Sequence, residues 1–175
     1  MDPEIRIRRA SEADGPILAE IERNSPLGLG DGSLTIDRGD DYFAAARLMA
    51  DATVLVAEGD GEPAGVFCGA RHRARIGGED RWLVYVHPAR ILPRYQRVGL
   101  GRRSGAAIRD AYASVPVDSQ YWYISPENEK SLGFARGAKN RWSVLPEMVT
   151  IDTAAAAGPS AGRPTTPTDA AVIVA

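Results

Sequence analysis

Apolar and polar positions alternate along several short stretches of the chain, and this pattern predicts β-strands separated by helices. Residues 5–9 alternate apolar and basic side chains, as a half-buried strand does. Ser11 and Asp14 then precede apolar residues at helical spacing, which predicts a helix that begins near Ser11. Further strands are predicted at 53–58, 65–76, 82–92, 117–124 and 142–151.

Turn residues and helical periodicity complete the pattern. Residues 25–41 are rich in Gly, Asp and Ser and predict a loop, which is followed by a short helix over 42–50. Apolar positions 107, 108, 111 and 112 predict a helix after residue 99, and Ser125-Pro126 predicts the start of another. Pro88 interrupts the 82–92 strand, so we expect a bulge there. The chain therefore reads as a mixed α/β protein.

Composition limits the class of protein. The 175 residues are 44% hydrophobic and 25% charged, with a net charge of −2, which fits a soluble domain and does not indicate nucleic acid as a partner. The polar start and the lack of a long apolar stretch predict a cytoplasmic protein with no membrane segment. From residue 153 the composition resembles a linker. We predict a domain at 1–152 and a tail at 153–175, which could lead to a truncated second copy.

The glycine-containing stretch Gln96-Arg97-Val98-Gly99-Leu100-Gly101-Arg102 lies between a predicted strand and a predicted helix. Unpaired amide groups and the helix dipole converge at such a helix start, which favours binding of an anion. The stretch lacks the third glycine and the later acidic residue of a dinucleotide fingerprint, and it is not a Walker loop.

This stretch resembles the Q/R-x-x-G-x-G/A pyrophosphate loop of the GNAT superfamily of N-acetyltransferases. Two further features have the family's order and spacing: Pro93 lies six residues before Gly99, and Asn128-Glu129-Lys130-Ser131 follows about 30 residues later. The resemblance implies an α/β (α+β mixed) fold. Its central, mostly antiparallel sheet would have six to seven strands, splayed in the middle, and about four flanking helices. It also implies acetyl-CoA as co-substrate.

The resemblance implies two groups of cofactor-binding residues. Main-chain groups of Ile91 and Leu92 would meet the pantetheine and the acetyl carbonyl. Asn128 would hydrogen-bond the pantetheine arm, or would instead satisfy a free amide in the first helical turn. The full set is Ile91, Leu92, Gln96, Arg97, Val98, Gly99, Leu100, Gly101, Arg102, Asn128 and Ser131.

Transfer of an acetyl group to an amine requires a base and an acid. In many family members a tyrosine of the Asn-x-x-Ser helix is the acid, but Ala135 stands at that position. Substitutes are Tyr123 and Tyr85, with Tyr121, Tyr95 or water as further choices. His87 lies where the family often places a base, and its ordinary pKa suits that role. Two distant histidines do not predict a metal site.

The predicted function is N-acetyl transfer from acetyl-CoA to a primary amine by direct attack in a ternary complex. Two alternatives stay open: a non-catalytic acyl-CoA sensor or structural module, and an N-acyltransferase that uses a longer acyl-CoA. The acceptor would be a small molecule or a peptide, and a homodimer stays open. Four aspartates against one arginine in residues 28–41 favour a cationic amine, whereas arginines at 71, 73 and 75 favour an acidic acceptor.

Overall fold

A computed structural model of the chain describes residues 3–29, 32–125, 128–129 and 131–133. The described strands are β1 (Ile5–Arg9), β2 (Leu27–Leu29), β3 (Gly32–Leu34), β4 (Ala52–Gly59), β5 (Glu62–Ile76), β6 (Glu79–Ile91) and β7 (Ser119–Tyr121). The described helices are α1 (Gly15–Arg23), α2 (Ala44–Arg47) and α3 (Leu100–Ala111), with 3₁₀ turns at Glu12–Asp14 and Pro93–Tyr95. None of the helices in these ranges is long and apolar enough to cross a bilayer.

Five strands form one mixed sheet in the order β1-β4-β5-β6-β7, while β2 and β3 form a separate hairpin. All neighbours in the large sheet are antiparallel except β6 and β7, which run parallel. That parallel ladder joins Leu83–Tyr85 to Ser119–Tyr121 and then stops. Since β6 continues to Ile91, its last six residues lose β7 as a neighbour, and the predicted splay of the sheet is confirmed.

Helices cover the two faces of the sheet and bury two apolar clusters. Leu55, Phe67 and Val84 pack with α3 on one face, together with Ala57, Ala64, Tyr95, Leu100, Ile108 and Tyr112. The other face is covered by α1 and by the two aromatic residues that precede α2. The cluster there is Leu18, Ile21, Tyr42, Phe43, Val54, Val56, Val66 and Cys68. Leu18 and Ile21, which are spaced as on one side of a helix, therefore face the sheet, as the sequence pattern predicts.

A bulge interrupts β6 next to Pro88, as predicted. Phe67 pairs with Ala89 and Gly69 pairs with Val86, so two residues of β6, His87 and Pro88, stand opposite one residue of β5. A bulge of this kind changes which residues share a face. As a result, the side chain of Arg90, which a regular strand would turn away from that of His87, lies on the same face as His87.

Several boundaries differ from the sequence predictions. The predicted loop at 25–41 contains the β2–β3 hairpin, and α2 is shorter than the predicted 42–50 helix. The 117–124 strand is reduced to β7, because only three of its residues pair with β6. Ala135, the predicted 142–151 strand and the 153–175 tail lie outside the described residues.

Close packing holds β6 against β5 at Gly65. A Cβ atom added to Gly65 would lie 2.6 Å from the carbonyl oxygen of Arg90, which is main chain and cannot rotate away. We expect Gly65→Ala to lower the free energy of unfolding by about 1–3 kcal/mol through overpacking, measured by urea denaturation.

The matched control is Gly105→Ala in α3. The added Cβ would meet only the guanidinium of Arg109, at 3.9 Å. We expect this variant to be more stable by about 0.5–1 kcal/mol, because alanine favours a helix interior. Equal stability of the two variants would contradict the tight contact between β5 and β6.

Candidate active site

The glycine-containing loop presents unpaired amide groups at the start of α3. Gly99 precedes the helix with φ +79°, a left-handed conformation that favours glycine, and Arg97 also has a positive φ. The carbonyl of Gly99 accepts hydrogen bonds from the amides of Arg102 and Arg103, each at 3.2 Å. The amides of residues 97–101 have no acceptor in the described part of the chain. Unpaired amides at a helix start are the arrangement that suits an anion.

Two of the predicted cationic side chains near this loop are available to a ligand. Arg97 and Arg102 are exposed and make no hydrogen bond or ion pair with the described residues. Arg94 and Arg103 instead donate to the carbonyls of Pro63 and Ile5, each at 3.4 Å. The loop therefore adds at least two unpaired positive charges to its amide groups.

Between the bulge and this loop, β6 has no neighbour on the side away from β5 among the described residues, and we call this side its free edge. The amide of Leu92 donates to the carbonyl of Ala64 at 2.9 Å, so this pair is a hydrogen-bonded position of the β5–β6 ladder. Since hydrogen-bonded and non-bonded pairs alternate in an antiparallel ladder, the amides of Ile91 and Ala89 point away from β5. They face the side where β7 has ended.

This register separates the roles predicted for Ile91 and Leu92. The amide of Leu92 is engaged by Ala64, and its carbonyl accepts from the amide of Tyr95 at 2.9 Å. The main-chain donors on the open edge are those of Ile91 and Ala89. The sequence analysis missed Ala89, because its orientation depends on the register after the bulge.

Gln96 and Asn128 make local contacts. The Nε2 atom of Gln96 donates weakly to the carbonyl of Ile91 at 3.4 Å, which ties the loop to the free edge. Asn128 accepts a hydrogen bond from the amide of Ser131 through Oδ1 at 3.0 Å. This is the capping role that the sequence analysis held as the alternative, and it leaves the Nδ2 amide of Asn128 for a ligand.

The predicted catalytic side chains come together in one aromatic cluster on the α1 face. The rings of Tyr85 and His87 are stacked, with centroids 5.6 Å apart. Tyr85 also stacks on Tyr121 at 5.1 Å, and Tyr123 contacts both tyrosines edge to face at 5.4 and 5.8 Å. Tyr123 is 57% exposed. His87, Tyr85 and Tyr123, which the sequence named from different segments, are therefore neighbours.

The other end of this cluster borders a small cavity. His72 lies edge to face with Tyr121, and a ring nitrogen is 3.4 Å from the tyrosine hydroxyl. A cavity of about 200 Å³ adjoins these side chains and is lined by Met49, Ala50, Ala70, His72, Tyr85 and Tyr121. Within the described ranges, no three His, Cys, Asp or Glu side chains are grouped as a metal site requires.

The surroundings of His87 favour its neutral form. Burial lowers the pKa of His87 below its ordinary 6.5, and the positive charges of Arg38 and Arg90 lower it further. The negative charge of Glu22 acts in the opposite direction but is the weakest influence. Burial also raises the pKa of the Tyr85 hydroxyl above 10, so that phenol keeps its proton at neutral pH.

A buried polar cluster beside His87 escaped the sequence analysis. Glu22 of α1 is 1% exposed and accepts hydrogen bonds from the Tyr42 hydroxyl at 2.8 Å and from Nε of Arg38 at 3.2 Å. Arg90 of β6 is also buried. One signal was present: Glu22 follows Leu18 at the i+4 position, which places a carboxylate on the apolar face of α1.

Comparisons with known proteins agree with this geometry. The profile of the "Acetyltransferase (GNAT) family" matches residues 18–140. The search of curated protein sequences finds no match.

Solved structures share the fold at low sequence identity. A Trypanosoma brucei acetyltransferase aligns with 16% identity and a TM-score of 0.61, over 85% of this chain and 100% of its own. AAC(6')-Iy, in complex with the bisubstrate analog CoA-S-monomethyl-acetylneamine, aligns with 18% identity and a TM-score of 0.59, over 85% and 99%. Glucosamine-6-phosphate N-acetyltransferase from Arabidopsis thaliana aligns with 16% identity and a TM-score of 0.56, over 84% and 99%.

The family profile covers well over half of the chain. The chain belongs to the acetyltransferase (GNAT) family.

Proposed function

We propose that the protein transfers an acetyl group from acetyl-CoA to the nitrogen of a primary amine by direct attack in a ternary complex. The observation that carries this proposal is the arrangement along one strand. The free edge of β6 joins an anion-binding loop at one end to His87 at the other. A phosphate-bearing thioester could therefore be held and a base presented on the same element.

The residues present fit coenzyme A. The unpaired amides of residues 97–101 suit its pyrophosphate, and the exposed side chains of Arg97 and Arg102 add charge-assisted contacts. The amide of Ile91 would pair with the pantetheine arm, as an added strand pairs with a sheet edge. The Nδ2 amide of Asn128 would be a further donor to that arm.

Proton transfer falls to the aromatic cluster. An alkylammonium with a pKa of about 10.4 is neutral only about once in 2,500 molecules at pH 7, so a base must remove its proton. His87 is held neutral by its surroundings and can accept that proton. The amine nitrogen then attacks the thioester carbonyl, and the C–S bond breaks. Tyr85 or Tyr123 would protonate the departing thiolate.

Small-molecule amines are the acceptor class that we propose. Support comes from the printed descriptions of two structures with this fold, one a glucosamine-6-phosphate N-acetyltransferase and the other a complex with an acetylneamine-linked CoA analog. The cavity of about 200 Å³ beside Tyr85 and Tyr121 is of a size for a small group.

Binding of coenzyme A tests the loop. We expect Gly99→Ala to weaken binding about 5–30-fold, because the left-handed conformation costs alanine about 1–2 kcal/mol. Isothermal titration measures the change. The wild-type protein should bind, and no heat of binding up to about 1 mM coenzyme A would refute the proposal.

The matched control is Gly77→Ala at the β5–β6 turn. Gly77 has φ +59°, and an added Cβ would meet nothing within 4 Å, as at Gly99. This variant carries the same kind of strain away from the loop and should keep wild-type affinity. An equal loss of affinity in both variants would show that the backbone strain lowers binding by destabilising the whole fold, and not by changing the loop at Gly99.

Removal of the proposed base should slow the reaction and spare the cofactor. We expect His87→Gln to lower kcat by about 100-fold or more, with little change in the affinity for coenzyme A. A thiol-release assay with a panel of amines gives the rate. Arg6→Gln, at an exposed position on β1, is the control and should keep its rate, and an unaffected rate in His87→Gln would remove the proposed role.

The ionisation of His87 can be followed without turnover. Glu22→Gln removes a negative charge and should lower the pKa of His87 further, whereas Arg38→Gln removes a positive charge and should raise it. NMR titration of the imidazole signals measures both directions. Arg6→Gln, which changes an exposed charge on β1, is the control. Shifts of the same sign in the two test variants would contradict this electrostatic account.

A further inference from the structure

The polar cluster beside His87 contains buried atoms that the described chain leaves without a partner. Oε2 of Glu22, Nη2 of Arg38 and Oγ of Ser25 are all buried and make no hydrogen bond. Buried polar atoms are nearly always paired, because an unmade hydrogen bond in the interior is costly. A carboxylate oxygen, a guanidinium nitrogen and a hydroxyl therefore each have an unused hydrogen-bonding position in the interior.

The charges in the cluster do not balance. Glu22 forms an ion pair with Arg38, whose side chain is 15% exposed. Arg90 is the excess cation: its only hydrogen bond in the described part of the chain is to the carbonyl of the neighbouring Ala89, at 3.2 Å. A buried guanidinium without a carboxylate is unfavourable unless an anion joins it.

The two arginines reach the α1 face from different elements. Arg38 lies over the ring of Tyr42, Arg90 pairs with Val66, and Tyr42 and Val66 belong to the same buried cluster. Arg38 lies in the segment between β3 and α2, next to Tyr42, and its charge acts on both His87 and Arg90. Arg90 reaches this face because of the bulge at His87–Pro88. Two guanidinium groups with unused donors suit a carboxylate or a phosphate, which accept paired hydrogen bonds.

We propose that the acceptor is an amine that also carries an anionic group, a carboxylate or a phosphate, bound by Arg38 and Arg90. This inference rests on the proposed function, because it names the acceptor of the same site. The sequence left a cationic and an acidic acceptor open, from the aspartates of residues 28–41 and from Arg71, Arg73 and Arg75, and it did not point to Arg38 and Arg90.

The test compares matched amines in binding and in turnover. β-Alanine against propylamine examines the carboxylate, and glucosamine 6-phosphate against glucosamine examines the phosphate. Binding to the protein saturated with coenzyme A is measured by calorimetry, and turnover with acetyl-CoA by thiol release. We expect at least one amine that carries the anionic group to bind about tenfold or more tightly than its partner without that group.

Variants then locate the preference. Arg38→Gln and, separately, Arg90→Gln should remove most of it while the amine without the anionic group binds as before. Arg6→Gln should keep the full preference. Circular dichroism and thermal unfolding confirm that each variant is folded. Because the two arginines lie on different elements, the proposal can still be tested with one variant if the other does not fold.

The outcomes separate this inference from the proposed function. Equal binding of the amines with and without the anionic group, or a preference that survives both substitutions, would overturn it. A preference that both substitutions abolish supports it even without thiol release, in which case the proposed enzymatic function fails and the anion-binding site stands.

Discussion

The one-sided hydrogen bonding of the end of β6 is the constraint on which the rest of the site depends. One edge of this segment is paired with β5, and β7 leaves the other edge after Tyr85. An unpaired strand edge normally attracts another strand. Here it lies beside a helix start whose amides are also unpaired, so the polar groups that a sheet would usually satisfy are grouped in one place.

The bulge at His87 and Pro88 is the second determinant, because it sets which side chains of β6 lie on the α1 face and which amides lie on its open edge. It brings the side chains of His87 and Arg90 to the α1 face, while the amides of Ala89 and Ile91 remain on the open edge. Buried charge and free main-chain donors thus alternate along a few residues. The strand is held in this register by close packing against β5, where Gly65 leaves no room for a Cβ.

Burial acts in opposite directions on the ionisable groups of the site. It lowers the pKa of His87 and raises that of Tyr85, so the imidazole is neutral and the phenol is protonated over the same pH range. A base and an acid can therefore coexist in stacked rings. The positive charges of Arg38 and Arg90, which help to keep His87 in its neutral form, would also hold an anionic group of the acceptor.

The sequence by itself determined the family, the strands of the central sheet and the glycine-containing loop before α3, because these depend on local signals. Glycines at 99 and 101, the alternation of β1 and Pro88 in β6 each act within a few residues. It also named His87, Tyr85 and Tyr123. Only the tertiary structure decided that these side chains form one cluster, that the amide of Ala89 faces the open edge, that Glu22 pairs with Arg38 and that Arg90 lies on the face of His87. Those facts depend on register and on packing between distant segments, where a shift of one residue reverses the face of every side chain.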